Sequence, residues 1–79
     1  QVVRIFTREG APLFERLRAE GYGVTKFHGE GRDGAVTMLF VQVGRARTRH
    51  IVRTAREIDP QCFYTIDDIR LASAAGPGV

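Results

Sequence analysis

The run Gly29-Glu30-Gly31-Arg32-Asp33-Gly34 has the spacing G-x-G-x-x-G, in which glycines let a backbone approach a phosphate closely. In dinucleotide-binding proteins a helix follows at once, so that the pyrophosphate meets the helix N-terminus. Here Ala35 to Val43 follows, an apolar and β-branched run that predicts a strand, and the dinucleotide reading is excluded. What remains is a Gly-rich hairpin loop over Gly29 to Gly34, whose glycines supply positive φ. As a plain turn it needs no ligand. As a ligand loop, its successive backbone N–H groups form a nest for an anion. Lys26 and Arg32 add charge, and His28 adds a hydrogen bond. The candidate ligand-binding set is therefore Lys26, His28, Gly29, Glu30, Gly31, Arg32 and Gly34, and the expected ligand is a small anionic effector such as a nucleotide.

Other reactive types are sparse. His28 and His50 are the two histidines, and neither has a further ligand at metal spacing on a regular element, so no metal site is expected. Cys62 beside Phe63 reads as a small buried hydrophobe, and an enzyme would need a pocket uniting it with His28 and Glu30. Asp67-Asp68 reads as a solvated turn or cap. No serine stands beside a placed base and no acid pair emerges, so no catalytic residue is assigned, and no cofactor is selected by these residues. The alternative function is nucleic-acid binding through Arg49, Arg53 and Arg56, preceded by Arg45 and Arg47. That stripe belongs to the outer face of a helix, and Ala35 to Val43 lacks the interleaved aromatics of an RNA-recognition strand, so nucleic acid is the weaker reading.

These residues need elements to hold them. Val2 to Thr7 reads as a strand closed by Arg8-Glu9-Gly10. Pro12 suits the first turn of a helix of roughly ten residues that buries Leu13, Phe14 and Leu17, with Gly21 or Gly23 as its left-handed C-cap. Val24 to His28 and Ala35 to Val43 form the hairpin. Thr48 to Ile58 regains helical period, with Ile51, Val52, Ala55 and Ile58 opposite the arginines, and Asp59-Pro60 ends it. Cys62 to Ile66 is the last strand. The order βαββαβ predicts an α+β, ferredoxin-like fold, a four-stranded antiparallel sheet with two helices on one face. Strand alternation then sends Phe6, Met38 and Phe40 to the helix-free face, with Val2, and predicts self-association through it.

With 79 residues and 8.8 kDa the chain forms one domain, expected over residues 1–71 with a flexible tail over 72–79. A single cysteine excludes a disulfide scaffold. Twelve basic residues against nine acidic leave +3, which permits an anionic partner without demanding one. A strand-like start at Gln1 without an initiator Met suggests a piece of a longer protein.

Phe6-Thr7, Gly21-Tyr22-Gly23-Val24-Thr25, Gly29-Glu30-Gly31, the strand Ala35 to Val43 and Ile58-Asp59-Pro60-Gln61-Cys62-Phe63 together resemble the small C-terminal domain of unknown function of YitT-like and related uncharacterised bacterial membrane proteins. The likeness covers Val2 to Ile69, and Arg32-Asp33 is more similar to the second group. It carries over Gly29, Gly31 and Phe63, the last as a core residue. That family is similar in topology to PII- and ACT-type domains. The resemblance therefore implies a cytoplasmic, ligand-sensing, oligomerising domain attached to a membrane region upstream of Gln1.

Overall fold

A computed structural model describes residues 1–68. Strand β1 (Val2–Thr7) leads into helix α1 (Gly10–Ala19). Strands β2 (Val24–Gly31) and β3 (Gly34–Gln42) form a hairpin, and helix α2 (Arg45–Ile58) connects to β4 (Phe63–Asp67). The antiparallel sheet has the order β2-β3-β1-β4, the ferredoxin-like arrangement expected from the element pattern. The expected tail 72–79 lies outside the described residues, as do 69–71 of the expected domain. Among the described residues no helix is long and apolar enough to cross a membrane.

Both helices cover one face of the sheet. Val3, Ile5, Leu39 and Val41 from the central strands meet Leu13 and Leu17 of α1 and Ile51 and Ala55 of α2 in one core, all eight fully buried. Complete burial of each aliphatic side chain the size of valine or larger is worth about 1.5–3 kcal/mol, so this small set carries most of the stability. Thr48 and Thr54 are buried on α2 as well, which widens the face read from Ile51, Val52, Ala55 and Ile58.

Each helix stops for a local reason. Gly21 adopts φ 94°, where a glycine costs least. Its N–H reaches the Arg18 carbonyl at 2.9 Å while Tyr22 N–H reaches that of Leu17 at 3.1 Å, the paired bonds of a Schellman cap. Helix α2 ends at Asp59, held extended at φ −139° and ψ 93° by Pro60 behind it. Both helices begin earlier than expected, α1 at Gly10 instead of Pro12 and α2 at Arg45 instead of Thr48, with Gly44 as N-cap. Pro12 still falls in the first turn.

The hairpin corrects the sequence reading most. Gly29, Glu30 and Gly31 are strand residues paired with Val36, Ala35 and Gly34, so the connection is the two residues Arg32-Asp33 and not a loop from Gly29 to Gly34. Neither Arg32 nor Asp33 has positive φ, and Gly34 takes it instead at φ 113°, as after a turn of ordinary hand in a bulged hairpin. β1 ends at Thr7, opposite Thr37. The last three pairs of the hairpin therefore project beyond the sheet as a two-stranded arm. Arg8 holds its tip, donating from Nη2 to the Asp33 carbonyl at 2.9 Å.

Candidate functional site

The register of the strands decides what the helix-free face presents. Phe6 pairs with Met38 on one side and with Phe63 on the other; Met38 pairs in turn with Phe27, and Phe40 stands opposite Arg4 and Thr25. Partners in register share a face, so Phe6, Phe27, Phe40 and Phe63, four of the five phenylalanines, lie together with Met38 and Val36. Phe6 and Phe63 rings pack at 5.7 Å between centroids. Phe27 remains 48% and Phe63 63% exposed, so the patch is open to a partner. The Arg4 guanidinium sits 5.9 Å from the centre of the Phe40 ring and is ion-paired with Asp67, giving the patch one neutralised polar margin.

Phe6, Met38 and Phe40 thus occupy the face their parity predicts. Phe27 and Phe63 were missed. The parity of Phe27 is legible, because Lys26 and His28 flank it on the other face. Phe63 as a core residue is corrected: its register with Phe6 sends it to the open face, while Tyr64, one residue on, packs against the core. Val2 shares the open-face parity but is only 3% exposed.

The expected ligand set is strung along an edge. Lys26, His28 and Glu30 share the helix-side face of β2 at steps of about 6.7 Å, whereas Gly29 and Gly31 face the other way. In an extended strand successive N–H groups point to opposite sides, so Gly29 to Gly31 form no nest of convergent donors. The Lys26 ammonium lies 4.4 Å from the centre of the Phe14 ring on α1, a cation–π contact that turns it away from Arg32 in the turn.

A more enclosed site lies where the arm leaves the sheet. A cavity of about 340 Å³ is walled by Phe6, Val36 and Phe63, with Thr7, Arg8, Glu9, Asp59 and Gln61 supplying its polar groups. The Thr7 hydroxyl donates to Asp59 Oδ2 at 2.6 Å and accepts from Glu9 N–H at 2.9 Å; Gln61 N–H donates to Asp59 Oδ1 at 3.0 Å. The Thr7 hydrogen bond above all, with the backbone N–H groups of Gln61 and Arg8 and the Arg8 charge, holds the Asp59 carboxyl below its ordinary range. Partial burial pushes the Cys62 thiol up, and the Asp59 charge adds to it, so Cys62 is not an activated nucleophile. His50 is elsewhere: its Nε2 lies 2.7 Å from Glu20 Oε1, and Glu20 also accepts from Arg16 Nε at 2.8 Å. Those two hydrogen bonds, that from Arg16 first, lower the Glu20 pKa. Among the described residues no three His, Cys, Asp or Glu side chains gather as a metal site.

The arginine stripe of α2 borders a groove of about 640 Å³ beside β4, floored by Val52, Tyr64 and Ile66. Arg56 stacks at 5.4 Å over Tyr64, and Arg45 Nη2 reaches Asp68 Oδ1 at 3.3 Å.

Two solved structures share the fold. One, described as an uncharacterized protein conserved in bacteria, DUF2179, from Eubacterium ventriosum, aligns with a TM-score of 0.68 at 19% identity over 84% of this chain and 94% of that one. A functionally unknown protein from Pediococcus pentosaceus aligns with a TM-score of 0.71 at 11% identity, over 87% and 92% of the two chains. In sequence, a UPF0316 protein of Oleidesulfovibrio alaskensis is 51% identical over 96% of this chain and 45% of its own length. A UPF0316 protein of Methanospirillum hungatei is 47% identical over 73% of this chain and 29% of its own. The chain thus spans less than half the length of these relatives. Residues 22–72 match the family described as uncharacterized protein conserved in bacteria (DUF2179), and with that match covering more than half of its 79 residues the chain belongs to the DUF2179 domain family.

Proposed function

We propose that this domain is a non-catalytic regulatory module that associates with a second copy through its open sheet face and answers to a small anionic effector. The observation that carries the reading is the gathering of Phe6, Phe27, Phe40, Phe63 and Met38 on the one face that the helices leave bare. An apolar patch of this kind on a small domain marks an interface. Sedimentation equilibrium of the chain at high concentration is expected to show a dimer or larger species, and Phe63→Glu or Met38→Glu to shift it to monomer. A monomer at every concentration overturns the reading. Phe63 is well exposed, so its variant is expected to keep the fold.

For the effector, the support lies in the cavity bounded by Arg8, Phe6 and Phe63 at the root of the arm, which offers one cation and aromatic walls beside the carboxylates of Glu9 and Asp59, more than in the strand residues Gly29 to Gly31. Nucleotides that bind there raise the melting temperature, because selective binding to the native state stabilises it. Failure of every nucleotide to do so, or an equal rise in Arg8→Ala, removes the effector from the proposal. The cytoplasmic setting on a membrane protein, implied by the YitT-like resemblance, belongs to the same proposal, and fractionation of the full-length parent tests it.

A further inference from the structure

Strand β4 is an edge of the sheet: among the described residues it pairs with β1 alone. Alternate N–H and C=O groups of an edge strand point outward without partners and template a further strand. Beside this edge, on the helix side, runs the groove floored by Val52, Tyr64 and Ile66, and Ile66 is 41% exposed within it. Its rim carries Arg45, Arg49 and Arg53 against the single carboxylate of Glu57. Arg49 and Arg53 form no ion pair among the described residues. A free strand edge, an apolar floor and unpaired guanidinium groups thus coincide along five residues of chain, Phe63–Asp67.

We propose that this edge captures an extended acidic peptide by strand addition to β4. The peptide backbone continues the ladder, and one row of its side chains enters the groove under α2. Glutamate suits that row, since its methylenes lie on Val52, Tyr64 and Ile66 while its carboxylate meets Arg49 and Arg53. The other row lies beside Phe63 on the open face, where small β-branched residues fit. The partner is therefore a segment of about five residues alternating glutamate with valine or a similar residue. Arg45 is partly neutralised by Asp68, and Arg56 is stacked on Tyr64, which leaves Arg49 and Arg53 as the specificity-determining cations.

Fluorescence anisotropy of labelled six-residue peptides against the whole 79-residue chain tests this. The alternating valine–glutamate peptide is expected to bind, to weaken as salt rises, and to lose about tenfold or more in affinity with Arg49→Gln/Arg53→Gln. The valine–lysine peptide is expected not to bind, nor a valine–glutamate peptide whose alternate residues are replaced by proline to remove the donors facing β4. Amide shifts on binding are expected in residues 63–67. Equal binding of the lysine or proline peptides, full affinity in the double variant, or shifts confined to the hairpin arm overturns the proposal. So does retention by anionic vesicles or an oligonucleotide through Arg49 and Arg53 with no peptide binding. Both arginines are exposed, and circular dichroism of the double variant confirms its fold; Ile66→Glu, placed in the groove floor, gives a second, independent loss.

Discussion

Asp59 accepts hydrogen bonds from three residues, Thr7, Gln61 and Cys62. Its carboxylate ties the end of β1, through Thr7, to the turn at Gln61, and its backbone carbonyl accepts Cys62 N–H at 3.0 Å, so one residue joins the end of β1 to the connection between α2 and β4. Hydrogen bonds to a charged group are worth about 2 kcal/mol, and Asp59→Ala is expected to lose that order of stability in urea denaturation at neutral pH. The pH dependence follows from the lowered carboxyl. A group whose folded-state pKa lies below its unfolded value contributes fully above about pH 4 and loses its contribution as pH falls through the folded-state value. Acid denaturation of the wild type should therefore include a component that Asp59→Asn lacks, and identical acid profiles contradict this account. Sequence inspection showed Asp59 only as a helix stop before Pro60. Its bond to Thr7 spans 52 positions and carries no local signature.

At the scale of elements, Gly10 sets how closely α1 approaches the sheet. A Cβ there would stand 2.7 Å from Thr37 Cβ on β3, a distance that requires the backbone to shift. Gly10→Ala gains about 1 kcal/mol of helix propensity and loses about 1–3 kcal/mol to overpacking. The expected result in chemical denaturation is a net loss, and a net gain places α1 farther from β3 than described. The hairpin shows what pattern reading misses at this scale. Val24 to His28 alternates only loosely, and the glycines after it suggest a loop, yet pairing with Val36, Ala35 and Gly34 overrides glycine's poor strand propensity. The cross-strand partner supplies hydrogen bonds that a local window does not contain. The strand and helix identities were legible because apolar periods of two and near 3.6 are written in side-chain types; their ends were less so, because Gly10 and Arg45 carry weak start signals.

For the whole molecule, a small core and a bare phenylalanine face bear on one another. A domain of this size buries only about 60% of its unfolded surface, and pairing of the open faces would add apolar burial that the monomer lacks. If the faces pair, the melting temperature should rise with protein concentration in the wild type and be independent of it in Phe63→Glu, as mass action requires. Scanning calorimetry over a dilution series checks this, and a concentration-independent wild type counts against pairing.

Types and spacing in the chain were sufficient for the βαββαβ order, the core positions Leu13, Leu17, Ile51 and Ala55, and the outward parity of Phe6, Met38 and Phe40, because alternation and helical period are local properties. Only the tertiary structure decided that Gly29 to Gly31 are strand, that Phe63 faces out beside Phe6, that Lys26 turns to Phe14, and that the arginines of α2 border the edge of β4. Each of these depends on register between segments far apart in the chain, and register is set by packing and pairing across the sheet, not by neighbours in sequence.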